Sequence, residues 1–207
     1  MATWALGLFG LYFVLAFGVR MVIQLRRTGS TGFRGFHGQP GSIEWVAGVL
    51  FVVGVGAGVA APVLDLIGAM GPIGSLDGAH GHQLGFALFA IGLVATLAAQ
   101  LAMGDSWRIG VDKQESTALV THGPFTIVRN PIYSAMIPTS LGLVLLVPNT
   151  VAVGGWLALI IALELHVRLV EEPYLLRVHN GTYADYAARV GRFIPFVGRR
   201  QTSRWIC

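Results

Sequence analysis

The chain has 207 residues, of which 54% are hydrophobic and only 12% are charged. A soluble domain carries about 25% charged residues, so this composition excludes an ordinary soluble protein and predicts a single membrane domain. The net charge of +4 fits a membrane topology signal better than nucleic-acid binding, because the basic residues all fall on one side of the predicted spans. The single cysteine, Cys207, excludes an intrachain disulfide.

Five apolar stretches predict membrane helices, since a bilayer core requires about 20 residues per helix. They cover residues 3–25, 43–67, 84–103, 131–147 and 150–170. The first stretch lacks a basic leader and a cleavage site, which favours a span over a signal peptide. The predicted fold is all-α and integral to the membrane, with about five transmembrane helices. Residues 1–103 supply three spans, and residues 104–207 supply a cytoplasmic loop, a two-span hairpin and a cytoplasmic tail.

The basic residues predict the orientation. All 14 Lys and Arg lie in the segments after spans one, three and five or near the inner helix ends, and the loops 68–83 and 148–149 hold none. The positive-inside rule then predicts an external N-terminus and a cytoplasmic C-terminus. The expected location is the plasma (inner) membrane of a bacterium. His80 and His82 near Asp77 in the external loop favour a solvated polar loop, because two ligands do not complete a metal site. No metal is predicted.

The second half of the chain contains three distinctive segments. Segment 104–130 is long, polar and aromatic, which is typical of a functional loop. Pro148 and Asn149 form so short a connection that spans four and five are predicted to be an antiparallel hairpin. Apolar residues spaced three or four apart in 173–195 predict an amphipathic helical tail on the membrane face, with a break at Asn180.

A row of charges closes the fifth span. Glu164, Arg168 and Glu172 follow one another at intervals of four, which places them on one face of an α-helix. Charges at membrane depth are costly and are functional by default. The alternative is a structural ion-pair cluster that closes the bundle.

The fourth span starts with Arg129, Asn130, Pro131 and, two residues later, Tyr133. Proline suits the first turn of a helix, where the free N–H groups can bind an anionic or polar group. The alternative is a helix-start signal with an interfacial aromatic anchor.

Together these segments resemble the isoprenylcysteine carboxyl methyltransferase family and, more loosely, the membrane phospholipid methyltransferases. The resemblance covers about residues 104–196. Four segments carry it: Leu119-Val120-Thr121-His122-Gly123-Pro124-Phe125 with Arg129-Asn130-Pro131-Ile132-Tyr133, the Pro148-Asn149 turn, Arg168 before Glu171-Glu172, and a tail with Gly181, Tyr183, Tyr186, Arg189, Val190 and Pro195. The family has His where this chain has Asn130, which cannot titrate, and often Tyr where it has Phe125.

The resemblance implies an enzyme that transfers a methyl group from S-adenosylmethionine (SAM) to a lipophilic acceptor at the cytoplasmic face. It implies that Arg168 faces the acceptor and that the cofactor contacts are Thr117, Leu119, Val120, Phe125, Asn130, Pro131, Tyr133 and Glu172. A carboxylate acceptor needs no base. An amine or thiol acceptor must lose a proton, and Glu164, His166 and Glu171 are the candidate bases.

Two other functions remain open from the sequence. A sterol-reductase type of enzyme would use NADPH, whose 2′-phosphate requires basic side chains that loop 104–130 offers sparsely. A transporter or scaffold would need polar residues along a path, but spans one to three hold only Thr96 and Gln100 at mid-depth. Gly54 and Gly58 favour packing between spans of one monomer over dimerisation.

Overall fold

The computed structural model of the chain describes residues 1–33, 38–108, 110 and 118–200. Within these ranges the protein is helical, and its β-structure is limited to isolated bridges such as the parallel one between Val128 and Gly191. Thr117, predicted to contact the cofactor, lies outside the described residues.

Each predicted span corresponds to a helix. Helix α1 (Ala2–Phe13) continues through a π-helical turn (Val14–Val19) into α2 (Arg20–Thr28), and the three together are called the first span below. The next helices are α3 (Ile43–Leu66), α4 (Ala79–Met103) and α5 (Pro131–Leu146). Helix α6 (Thr150–His166) continues through a second π-helical turn (Val167–Glu171) into α7 (Glu172–Arg189).

These helices confirm the prediction of an all-α integral membrane protein. Four of the described helical segments are long and apolar enough to cross a bilayer: Ala2–Thr28, Ile43–Leu66, Ala79–Ser106 and Thr150–Arg189. The fifth apolar helix, α5, has 16 residues and is shorter than the typical length for a span.

Spans four and five are joined as predicted but do not pack mainly on each other. Helix α5 packs along α4, and α6 packs along α3. Glycines permit both contacts: a Cβ on Gly142 would lie 2.5 Å from the carbonyl oxygen of Gly85, and one on Gly54 would lie 2.9 Å from that of Gly155. Gly54 therefore packs inside the monomer, the arrangement that the sequence favoured.

Asn149 fixes the turn between α5 and α6. Its side-chain oxygen accepts a hydrogen bond from the N–H of Ala152 at 2.9 Å, which caps α6, and its Nδ2 donates to the carbonyl of Ala61 on α3 at 3.0 Å. The residue is fully buried. One side chain therefore starts α6 and attaches it to α3.

The inner end of the first span holds the segment that follows α4. Arg20 donates to the carbonyl of Gly104, and Gln24 donates to that of Asp105 at 2.8 Å. The guanidinium of Arg20 also lies 4.9 Å from the ring centre of Trp107, which is buried. These contacts fix residues 104–108 against the helix bundle.

The tail differs from the predicted surface helix. It is helical and breaks at Asn180 as predicted, where the backbone turns to a φ of 41°. Tyr183 and Tyr186, however, are 2% and 4% exposed, and they pack in a cluster that includes Leu119. The tail therefore packs against the rest of the protein, because Leu119 in the segment between α4 and α5 covers part of its aromatic face.

Candidate active site

A cavity lies at the end of the bundle where the first span, α4 and α6 end and α5 begins. Its volume is about 200 Å³. Its lining includes eight residues that the sequence predicted for a site: Leu119, Val120, Phe125, Asn130, Pro131, Tyr133, His166 and Glu171. The start of α5 and the end of α6 therefore meet at one cavity.

Among the described lining residues, Glu171 is the acidic group of this cavity. The hydroxyl of Tyr133 donates to its Oε1 at 2.9 Å, and Nε2 of His166 lies 3.3 Å from the same oxygen. All three side chains line the cavity. A carboxylate held by two neighbours in this way can attract a cation or accept a proton from a bound molecule.

Glu164 and Arg168, predicted to be catalytic, lie outside this lining. They pair with each other, with side chains that are 36% and 55% exposed. Glu172, the third member of the predicted row, pairs elsewhere. Glu172 leaves the predicted row because the π-helical turn Val167–Glu171 precedes it. One extra residue in a turn rotates the following side chains by about 100° relative to a continuous α-helix.

Glu172 is the centre of a buried ion-pair cluster. Its Oε1 accepts from Nη2 of Arg129 at 2.6 Å and from Nε of Arg192 at 2.7 Å, and its Oε2 accepts from Nη2 of Arg192 at 2.8 Å. The side chains of Glu172 and Arg129 are 4% and 1% exposed. The cavity lining includes Arg129 but not Glu172. The structure thus gives the predicted cofactor ligand Glu172 two protein cations as partners.

Arg129 connects this cluster to the last described segment of the chain. Its guanidinium donates to the carbonyls of Ala187 at 3.0 Å, Gly198 at 3.1 Å and Val190. The hydrogen bonds that Arg192 donates to Glu172 raise the pKa of the Arg192 guanidinium above its ordinary value. The cluster therefore holds residues 187–198 against the start of α5.

Two further hydrogen bonds join the same surfaces. The hydroxyl of Tyr186 donates to the carbonyl of Phe125 at 2.6 Å, and Oγ of Ser134 donates to the carbonyl of Phe193 at 2.8 Å. Nδ2 of Asn130 donates to the carbonyl of Arg192 at 3.2 Å. Asn130 thus lines the cavity and also helps to attach the segment after α7 to the start of α5.

Sequence reasoning missed several residues of the cavity. These are Trp107 and Arg108 after α4 and Tyr174, His179, Tyr183 and Tyr186 on the tail. The polar, aromatic composition of segment 104–130 and the tyrosine spacing of the tail were usable signals. Neither signal could show which way the side chains face, because that depends on how the tail folds back.

A second, apolar cavity adjoins the first. Its volume is about 80 Å³, and it lies among α1, α3, α5 and α6. Tyr12, Phe17, Phe51 and Met136 line both cavities. A polar site and an apolar space that share a wall can hold the two ends of an amphiphilic molecule.

Among the described residues, no group of three or more His, Cys, Asp or Glu is arranged to hold a metal ion. His82 lies 3.1 Å from Asp77 in the loop before α4.

Comparison with known proteins confirms the resemblance that the motifs indicated. Residues 81–181, slightly under half of the chain, match the model of the phospholipid methyltransferase family. Two proteins of Arabidopsis thaliana, protein-S-isoprenylcysteine O-methyltransferase B and A, are 27% and 28% identical over 117 and 118 residues. The matched region covers 56% of this chain and 59% of each relative's length.

A solved structure shares the fold. The eukaryotic intramembrane Ras methyltransferase ICMT (isoprenylcysteine carboxyl methyltransferase), solved without a monobody, aligns with a TM-score of 0.58 at 22% identity. The alignment covers 95% of this chain and 69% of that structure. The chain therefore has the fold of an integral membrane methyltransferase, and the comparisons give no support to the reductase alternative.

Proposed function

We propose that this protein transfers a methyl group from SAM to a lipophilic acceptor at the cytoplasmic face of a membrane. The observation that carries the proposal is the cavity in which the segments resembling methyltransferases, 119–133 and the end of α6, come together. Six of the eight expected cofactor contacts lie within residues 119–133 and line this cavity, and Glu171 supplies an anionic group.

The chemistry of the cavity lining fits this donor. SAM carries a sulfonium, a carboxylate, an ammonium and an aromatic base. The rings of Phe125 and Tyr133 offer apolar and π surface for the base or the sulfonium. Glu171 offers a negative charge to the ammonium, and Arg108 and Arg129 are the arginines among the described lining residues.

The protein accelerates such a reaction by alignment and by exclusion of water. When bound, the donor supplies an electrophilic methyl group, and transfer is an in-line displacement. The buried ion-pair cluster of Glu172 with Arg129 and Arg192 holds the tail over the cavity, which limits access of bulk water. Glu172 then acts as a positioning residue for the site.

The acceptor is lipophilic in this proposal because an apolar cavity adjoins the polar one. The named relatives act on isoprenylcysteine, which is a lipid-modified group of this kind. Of the three candidate bases, Glu171 and His166 line the cavity and Glu164 does not. A protic acceptor would therefore transfer its proton to the pair formed by Glu171 and His166.

Ligand binding to the purified protein tests the cofactor. A ligand that binds only the folded state raises the unfolding free energy by about 2.7 kcal/mol at 100 times its dissociation constant. We expect SAM to raise the thermal midpoint of the protein in detergent and NADPH to leave it unchanged. Glu171→Gln should weaken the shift, whereas Glu164→Gln should preserve it because Glu164 lies outside the cavity lining.

Methyl transfer itself is measured with radiolabelled SAM and membranes that contain the protein. The label should appear in the lipid-extractable fraction. A protein that is unaffected by millimolar SAM, or that is stabilised by NADPH alone, would refute the proposal.

The proposed orientation is tested by cysteine labelling in intact cells. In a Cys207→Ser background, Ser75→Cys in the loop before α4 should react with a membrane-impermeant maleimide, and Ser30→Cys after α2 should react only after lysis. The opposite pattern would reverse the orientation, which rests on the basic residues alone.

A further inference from the structure

Arg108 is one of three described cavity residues, with Gln100 and Arg129, that have a buried side-chain atom without a hydrogen-bond partner. Its Nη1 is buried and has no hydrogen-bond partner within the part of the chain that the structure describes. Its guanidinium carbon lies 5.6 Å from the ring centre of Tyr174, so the side chain rests on an aromatic face. Buried polar atoms almost always have a partner, so an unpaired cationic N–H at a cavity indicates an anionic ligand group.

The position of Arg108 is set by contacts of the residues that precede it. Trp107, the preceding residue, is buried beneath Arg20 of the first span. Asp105 is held by Gln24 through its carbonyl and by Arg27 through its carboxylate, at 2.8 and 2.9 Å. The guanidinium is therefore held in place without using its own Nη1.

Glu171 lines the same cavity and carries the opposite charge. Its Oε1 is engaged by neutral or weakly basic partners, the Tyr133 hydroxyl and the His166 imidazole, and not by a guanidinium. The other arginine of the described lining, Arg129, is already paired with Glu172, so the charges that the described lining leaves for a bound molecule are those of Arg108 and Glu171. This pattern matches a zwitterionic amino-acid group better than a single phosphate or carboxylate.

We propose that Arg108 binds the α-carboxylate of the methyl donor and so determines recognition of its amino-acid end. This assignment rests on the proposed function. A planar guanidinium matches a carboxylate through two parallel N–H bonds, so lysine should replace it only in part. Nη1 donates one of these hydrogen bonds, and the ring of Tyr174 supports the guanidinium from one face.

Two nucleosides distinguish binding at the proposed carboxylate subsite from binding to the rest of the cavity. S-adenosylhomocysteine has the amino-acid group, and 5′-methylthioadenosine lacks it. Affinities of both are measured by calorimetry on the full-length protein in detergent, without any turnover. Hydrogen bonds to charged groups contribute about 1.5–3 kcal/mol, so we expect Arg108→Met to weaken S-adenosylhomocysteine about 10-fold or more and to leave methylthioadenosine unchanged.

Arg177 provides a matched control. Its guanidinium lies over the same Tyr174 ring at 5.7 Å, but it is exposed and is absent from the described cavity lining. Arg177→Met removes the same charge and the same kind of aromatic contact, so it should leave both affinities unchanged. Arg108→Lys should give an intermediate loss for S-adenosylhomocysteine only. Thermal unfolding of each variant checks that it is folded.

Four results would overturn the assignment. If Arg108→Met binds S-adenosylhomocysteine as tightly as the wild type does, the assignment of Arg108 to the carboxylate is refuted and the proposed function is unaffected. Equal loss for both nucleosides, or equal loss in Arg177→Met, would assign the effect to general damage or to surface charge. Failure of the wild-type protein to bind S-adenosylhomocysteine would remove both this inference and the proposed function.

Discussion

Replacing Glu172 with alanine removes the carboxylate that two arginines share in the core. Arg129 and Arg192 have side chains that are 1% and 14% exposed, and Glu172 accepts three hydrogen bonds from them. Breaking a buried ion pair by deleting one partner costs about 3–5 kcal/mol, because the remaining charge stays buried. Arg129 retains acceptors on Ala187 and Gly198, so we expect the lower end, about 3 kcal/mol.

The assay is thermal unfolding of the purified protein in detergent. For a chain of about 200 residues, 1 kcal/mol corresponds to a shift of about 2–4 °C, so Glu172→Ala should lower the midpoint by about 6–12 °C. Glu164→Ala is the matched control, since its partner Arg168 is 55% exposed and exposed pairs contribute about 0–1 kcal/mol. It should lower the midpoint by less than about 4 °C.

A different pair of results would refute this reasoning. If Glu172→Ala is as stable as Glu164→Ala but no longer binds SAM, then Glu172 is a direct cofactor ligand and not a positioning residue. Glu172→Gln adds a second measurement, because it keeps the shape and some hydrogen bonds while it removes the charge. Its stability should lie between that of the wild type and that of the alanine variant.

The helix contacts give two further predictions. Gly54→Ala should destabilise the protein by about 1–3 kcal/mol, because the new Cβ would lie 2.9 Å from the carbonyl oxygen of Gly155, whereas Gly56→Ala meets no atom within 4 Å and should be neutral or slightly stabilising in the same unfolding assay. Asn149→Ala should cost about 2–4 kcal/mol, because it removes a helix cap and leaves a buried carbonyl unpaired. Asn149→Ser should recover part of that loss through its hydroxyl cap, and equal instability of the two variants would contradict the capping argument.

The positions of the helices could be predicted because they depend on local properties of the chain. The start of α5 at Pro131, its end near Leu146 and the turn at Asn149 all follow from signals within a few residues. The break in the tail at Asn180 was equally local. The partners of the helices were not predictable in this way, and α5 packs on α4 instead of its hairpin neighbour.

The candidate site was likewise predictable only where it depends on local sequence. Leu119, Val120, Phe125 and residues 129–133 line the cavity together because they belong to one continuous segment that the motif identifies. The row of Glu164, Arg168 and Glu172 was inferred from α-helical spacing, and the π-helical turn before Glu172 breaks that spacing. Arg108 lies near the start of the polar segment 104–130, and only the contacts of the first span with that segment reveal its orientation.

By itself the sequence determined that this protein is a membrane protein, where its helices lie and which segments resemble methyltransferases. Hydropathy and helix boundaries are sums over neighbouring residues, so a linear pattern contains them. The tertiary structure decided which of two adjacent acids, Glu171 or Glu172, lines the cavity. That choice depends on a local change in helical twist and on arginine partners that are 43 and 20 residues away along the chain, which no local pattern can specify.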